Sequence, residues 1–95
     1  MFTYDLVDLR LFSAAARAGS VSQAASEVHL AVSSASARLK AFEARSGVKL
    51  FERRPHGVDL TPAGVETVHA VRAMLHDAEV LESVLTRFRM NHQEV

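Results

Sequence analysis

Apolar positions recur at three- and four-residue steps in most of this chain and switch to alternation in one short stretch. From Asp5 to Ala18, Leu6, Leu9, Phe12 and Ala16 share one face, which predicts an amphipathic helix. Asp5 and Asp8 stand near its positive end, where the helix dipole favours anions, and Gly19 is a natural stop. Ser20, with Gln23 three residues on, resembles a capping box for a short second helix, about Val21 to Val28. Ala24 and Ala25 suit close helix packing there, and Val28 and Leu30 are expected to face the core. A third helix is predicted from about Val32 to Arg45, with Val32, Ala35, Leu39 and Phe42 as its apolar stripe and Gly47 as its end.

The period then changes to two. Lys49-Leu50-Phe51 and Val58-Asp59-Leu60 read as short strands around a Pro55-His56-Gly57 turn. Leu50 and Leu60 should point inward, leaving Arg53, Arg54 and His56 at the tip of a hairpin. Thr61 can cap a fourth helix, with Pro62 at its first position. From Gly64 to about Arg89 nothing breaks the helical pattern. Val65, Val68, Val71, Leu75, Ala78, Leu81, Leu85 and Phe88 form a long stripe, widened by Met74, Val80 and Val84. About 26 helical residues span roughly 39 Å, more than one small domain can cover. The far half is therefore expected to pair with another chain, with Val68, Val71, Leu75, Ala78, Leu81, Leu85 and Phe88 as the dimerisation stripe.

The chain has 95 residues, 48% of them hydrophobic, which suits one small, marginal domain that oligomerisation would help. It has no cysteine, so neither a disulfide framework nor a cysteine-based zinc site is expected. No apolar run approaches membrane-spanning length, and Met1-Phe2-Thr3-Tyr4 does not open a signal peptide, so cytoplasm is the expected compartment. A formal net charge of zero at first argues against a nucleic-acid partner. Its distribution reverses that reading. Between Arg38 and Arg54 stand six basic residues (Arg38, Lys40, Arg45, Lys49, Arg53, Arg54) and two acidic ones (Glu43, Glu52), whereas from Val65 onward there are five acidic and three basic. A local basic patch outweighs the total, because charges farther apart than about 10 Å are screened.

Two short helices followed by a basic hairpin form a device for placing one helix in a DNA groove and cations on the flanking backbone. Ser33, Ser34, Ser36, Ala37, Arg38 and Lys40 lie largely off the apolar stripe of the third helix. An ordinary solvated face would hold better helix formers than serine, while short side chains permit close approach to a surface. Arg53 and Arg54 on a protruding hairpin suit phosphate or minor-groove contact, the bland alternative being a solvated charge run. Ala31 cannot cap the third helix, so Ser33 is expected to bond a free amide of its first turn. The five histidines (His29, His56, His69, His76, His92) form no His-x-x-x-His pair, and His29 is assigned a packing or capping role. No phosphate loop, nucleophile motif, metal site or cofactor motif is present, so neither an enzyme nor a cofactor is expected.

Assembled, these residues resemble the N-terminal DNA-binding domain of LysR-type transcriptional regulators. The resemblance rests on Leu9-Arg10-Leu11-Phe12, Gly19-Ser20-Val21-Ser22-Gln23-Ala24-Ala25, Leu30, Leu39-Lys40-Ala41-Phe42-Glu43, Gly47-Val48-Lys49-Leu50-Phe51-Glu52-Arg53 and Leu60-Thr61-Pro62-Ala63-Gly64, and covers essentially the whole chain. It implies a mainly α fold: a winged helix-turn-helix of three helices and a two-stranded wing over residues 1–61, then a linker (dimerisation) helix and tail over 62–95. It also implies a homodimer with antiparallel linker helices, double-stranded DNA as partner, recognition helices in successive major grooves and wings over the minor groove. No membrane partner is implied. Higher oligomers and a small-molecule effector would require a C-terminal domain that this chain, ending where that domain would begin, does not contain.

The departures from the family pattern fall on the reading surface. Ala31-Val32-Ser33-Ser34 replaces the frequent Ser-Gln-Pro/Ser-Ala, and Ala37 replaces a frequent arginine. Glutamine and arginine supply bidentate base contacts, whereas valine and alanine offer thymine-methyl or shape contact alone. The expected DNA-binding residues are therefore Val32, Ser33, Ser34, Ser36, Ala37, Arg38, Lys40, Arg53, Arg54 and His56, with contact resting first on Ser33, Ser36 and Arg38 and on Arg53 and Arg54 of the wing. A protein-interaction module that kept this fold but lost DNA affinity is the competing reading, favoured by zero net charge. A winged helix of another regulator type, such as the molybdate-responsive one, is the nearest alternative among DNA binders.

Overall fold

Local capping chemistry sets most of the helix ends. The computed structural model describes residues 2–93; Met1 and the last two residues of the 62–95 segment, Glu94 and Val95, lie outside the described residues. Helix α1 (Leu6–Ala18) begins with a reciprocal box. The Asp5 carboxylate accepts from the Asp8 amide at 2.8 Å, and the Asp8 carboxylate accepts from the Asp5 amide at 3.3 Å. The helix ends at Gly19, whose left-handed backbone favours glycine. Helix α2 (Val21–Glu27) is capped by Ser20 Oγ, which accepts from the Gln23 amide at 3.2 Å. The α2–α3 turn passes through His29 at φ 59°, a left-handed position held by a non-glycine residue. Helix α3 spans Val32–Ser46.

Strands β1 (Phe51–Arg54) and β2 (Gly57–Leu60) pair antiparallel, with Phe51 opposite Leu60 and Arg54 opposite Gly57. Pairing therefore starts two residues later than the alternation predicts. Leu50 is buried as expected, but it lies in the approach to the sheet, and the hairpin closes over Pro55-His56 alone. Helix α4 (Pro62–Gln93) runs past the predicted end at Arg89 and is about 48 Å long. Thr61 Oγ1 caps it, accepting from the Gly64 amide at 3.0 Å and donating to the Lys49 carbonyl at 2.7 Å. A Cβ at Gly64 would overlap the Leu50 carbonyl oxygen, so α4 leaves the wing at glycine-only separation.

The core joins all elements. Phe12 stands between Phe42 and Phe51, with ring centroids 5.2 and 5.3 Å away, and Leu9, Leu11, Leu39, Leu50, Val58, Val68 and Val71 close around them. Fully buried Ala24 and Ala35 permit the close approach of α2 and α3. The wing is tied at both ends. The Val58 amide donates to the Gly19 carbonyl at 3.1 Å. Glu43 of α3 accepts from the Leu50 and Phe51 amides at 2.7 and 3.0 Å. Two predicted core positions lie outside: Leu6 and Val32 are 44% and 51% exposed, because both turn away from the core at the domain's edge.

Candidate nucleic-acid interface

Helix α3 presents three distinct sides. Ala35, Leu39 and Phe42 bury one. Ser33, Ala37 and Lys40, spaced at helical steps, are exposed on the opposite side, with Val32 and Ser34 also exposed and Ser36 half-buried at the border. No side chain caps the start of α3: Ala31 holds the cap position without a side-chain bond, and the capping bond expected of Ser33 is not made.

The third side turns Arg38 toward α1. Its Nη1 donates to Asp8 at 3.0 Å and lies 3.4 Å from Asp5, so its guanidinium turns toward α1. Arg45, two turns on, donates Nη2 to Asp8 at 3.1 Å and Nε to the Thr3 carbonyl at 2.8 Å. These charges stabilise one another. The bond to Asp8, then that to Asp5, raises the Arg38 pKa. The Asp8 amide, followed by Arg38, holds the Asp5 carboxyl below its ordinary value. A charge-assisted pair to a buried carboxylate is a strong competitor for a DNA phosphate.

The outward cations gather elsewhere. Lys40 of α3, Lys49 before the wing and Arg53 on β1 line a cleft of about 210 Å³ with Glu43, Val21, Leu39, Phe51 and Val58. Lys49 was not among the contact candidates; the alternation that turns Leu50 inward also turns Lys49 outward, which was the available signal. Arg54 Nε donates to Asp59 at 2.9 Å, but both side chains are more than half exposed, so the tie is weak and exchangeable. His56 is exposed at the tip.

The dimerisation stripe divides. Val68 and Val71 belong to the chain's own core, because α1 packs over this end of α4. Leu75 and Ala78 are half-buried, and with Leu6, Arg10, Leu81, Glu79 and Glu82 they line a groove of about 480 Å³. Leu81, Leu85 and Phe88 are exposed, as are Val80 and Val84. Among the described residues no group of three potential metal-ligating side chains comes together, and no helix is long and apolar enough to cross a membrane.

Two helices about a tight turn, an exposed α3 face and a basic wing now stand in one frame. The model of bacterial regulatory helix-turn-helix proteins of the lysR family matches residues 6–65. The chain belongs to the LysR family. Among its LysR-type relatives, the transcriptional regulator TfdS of Cupriavidus pinatubonensis is 43% identical over 67 residues, 70% of this chain and 23% of TfdS. The RuBisCO operon transcriptional regulator of Allochromatium vinosum is 40% identical over 80 residues, 84% of this chain and 26% of the regulator. The chain thus spans about a quarter of the length of these curated relatives, which are transcriptional regulators and not enzymes. Among solved structures, the DNA-binding domain of CbnR in complex with DNA superimposes with a TM-score of 0.79 at 31% identity, covering 84% of this chain and 92% of that one. The BenM DNA-binding domain on a catB site gives 0.84 at 26% identity, covering 90% and 96%. The fold is the winged helix-turn-helix of LysR DNA-binding domains, and the chain corresponds to that domain of the family.

Proposed function

We propose that this chain reads specific sites on double-stranded DNA as a homodimer, with α3 in the major groove and the hairpin over the minor groove. The observation that carries this reading is the exposed Ser33–Ala37–Lys40 face beside the Lys49 and Arg53 cleft, on a fold shared with domains solved on DNA. Val32, Ser33, Ser34, Ser36 and Ala37 approach base edges, where valine and alanine read thymine methyls or shape. Lys40, Lys49, Arg53, Arg54 and His56 meet the backbone and the minor groove. Arg38 is left out because its guanidinium is held by Asp8 and Asp5.

The second copy docks on the exposed far half of α4, through Leu81, Leu85 and Phe88 with the groove at Leu75 and Ala78. Two α3 helices then address half-sites about one helical turn of DNA apart. In a whole regulator of this family, working in the cytoplasm, a further domain would take the small-molecule effector and support higher oligomers. The test selects bound sites from a random duplex pool, then titrates the selected and a scrambled duplex at several salt concentrations. The reading expects a pseudo-palindromic selected site. It also expects generic binding that weakens with salt by about 0.9 logarithmic units per neutralised phosphate. A chain that binds neither duplex at low salt is an interaction module instead.

A further inference from the structure

Asp8 is the buried charged side chain among the described residues, 5% exposed in the first turn of α1. A carboxylate in that position is costly unless paired and hydrogen-bonded. Its partners are arranged unusually. Oδ1 accepts from Arg38 at 3.0 Å, and Oδ2 accepts from Arg45 at 3.1 Å and from the Asp5 amide at 3.3 Å. Arg38 and Arg45 lie seven residues apart, so one carboxylate holds the same flank of α3 at two points about 10 Å apart along its axis. The apolar seam of Ala35, Leu39 and Phe42 holds the helix to the core, and Glu43, bonded to the Leu50 and Phe51 amides, ties one flank to the wing. The two charge-assisted bonds to Asp8 tie the other flank to α1, so both flanks together resist turning in place.

We infer that Asp8 is a positioning residue for DNA discrimination: it sets the rotation of α3 about its axis through Arg38 and Arg45, and withholds both arginines from DNA phosphates. Rotation matters because Ser33, Ser36, Ala37 and Lys40 fan across the exposed side, and a turn of the helix changes which of them meets a base edge. Asp8 does this from another helix, without touching DNA. The inference rests on the reading that α3 enters the major groove.

The experiment titrates the selected and scrambled duplexes, across salt, with the wild-type chain, Arg38→Gln, Asp8→Asn and the double variant. Arg38→Gln should leave the salt slope on scrambled duplex unchanged and reduce the preference for the selected site roughly fivefold or more, the size of one lost base contact. Asp8→Asn should lose the same preference and steepen the slope by up to about one unit for each arginine released. The double variant should discriminate no worse than either single one, because both act through one network. If Arg38→Gln instead flattens the slope by about one unit and weakens both duplexes equally, Arg38 is a phosphate contact and the inference is overturned. Unchanged preference in both single variants overturns it as well. Should Asp8→Asn fail to fold by circular dichroism, Arg45→Gln takes its place with the outcomes expected of Arg38→Gln. A wild-type chain that binds neither duplex removes the groove reading itself. A wild-type chain that discriminates no better than Arg38→Gln removes only this inference.

Discussion

The two halves of α4 carry one continuous apolar repeat and meet opposite environments. In the near half Val68 and Val71 are 3% and 4% exposed, in the same core as Phe12 and Leu50. In the far half Leu81, Leu85 and Phe88 are 59%, 44% and 59% exposed. Nothing in the residue types marks the boundary. The difference lies in what stands opposite: α1 covers the first turns of α4, and none of the other described elements covers the turns beyond Ala78. A hydrophobic period identifies a face that wants cover; it does not say which chain provides it. The far half is an exposed apolar face rimmed by Glu79, Glu82, Arg87 and Arg89, as the proposed subunit interface requires.

Charge placed in the near half should have the largest effect. Val71→Asp forfeits about 1.5–3 kcal/mol of apolar burial and adds the cost of an unpaired buried charge. Against the few kcal/mol of stability that a domain of this size holds, the variant should lose its cooperative thermal transition by circular dichroism. The same substitution in the far half should leave the fold intact and act on assembly. A twofold interface would lose Leu85 twice, so Leu85→Asp should weaken dimerisation roughly a hundredfold or more. Its helical content when monomeric should resemble that of the wild type. Equal unfolding by both variants would erase the contrast between the halves.

Smaller effects should separate the surfaces of the DNA-binding half. Arg54→Ala is expected to weaken binding to every duplex and to reduce the salt slope by up to about one unit. Ser36→Ala should alter preference among sites and leave generic binding nearly intact. Titration of both variants against selected and scrambled duplexes checks the pair, and the reverse pattern would exchange the assigned roles of wing and helix. The smallest effect is that of acid on the α1 box. The folded Asp5 carboxyl lies below its ordinary value, chiefly through the Asp8 amide. Its contribution is therefore complete above the unfolded value near about 4 and disappears as pH falls through the lowered folded value. Glu27, held low by Arg17, follows the same sign. Protection of the Asp8 amide, relative to its intrinsic exchange rate at each pH, should fall only at strongly acidic pH, and loss of that protection near neutrality would contradict the assignment.

What was legible in the sequence was local. Ser20, Thr61, Gly19 and Gly47 act within a turn of their own positions, so helix ends could be read within a residue or two, apart from the C-terminal end of α4; the box at Asp5 and Asp8 was missed and the bond expected of Ser33 is not made. What escaped depends on distant neighbours. Arg38 looked like a DNA contact because its carboxylate partners stand 30 and 33 residues earlier in the chain. Val32 fits the apolar stripe of α3, yet no element packs over it. The start of β1 is decided by the pairing of Phe51 with Leu60, not by the alternation around Leu50. That Val68 and Val71 join the chain's own core was not legible, because α1, which covers them, lies some fifty residues away in sequence.

The claim that the far half of α4 is a subunit interface is tested most directly by sedimentation equilibrium of the wild-type chain at micromolar concentrations. The account predicts a mass twice that of the 10.4 kDa chain, falling toward the single-chain mass on dilution. A well-folded wild-type chain that sediments at 10.4 kDa throughout would contradict it.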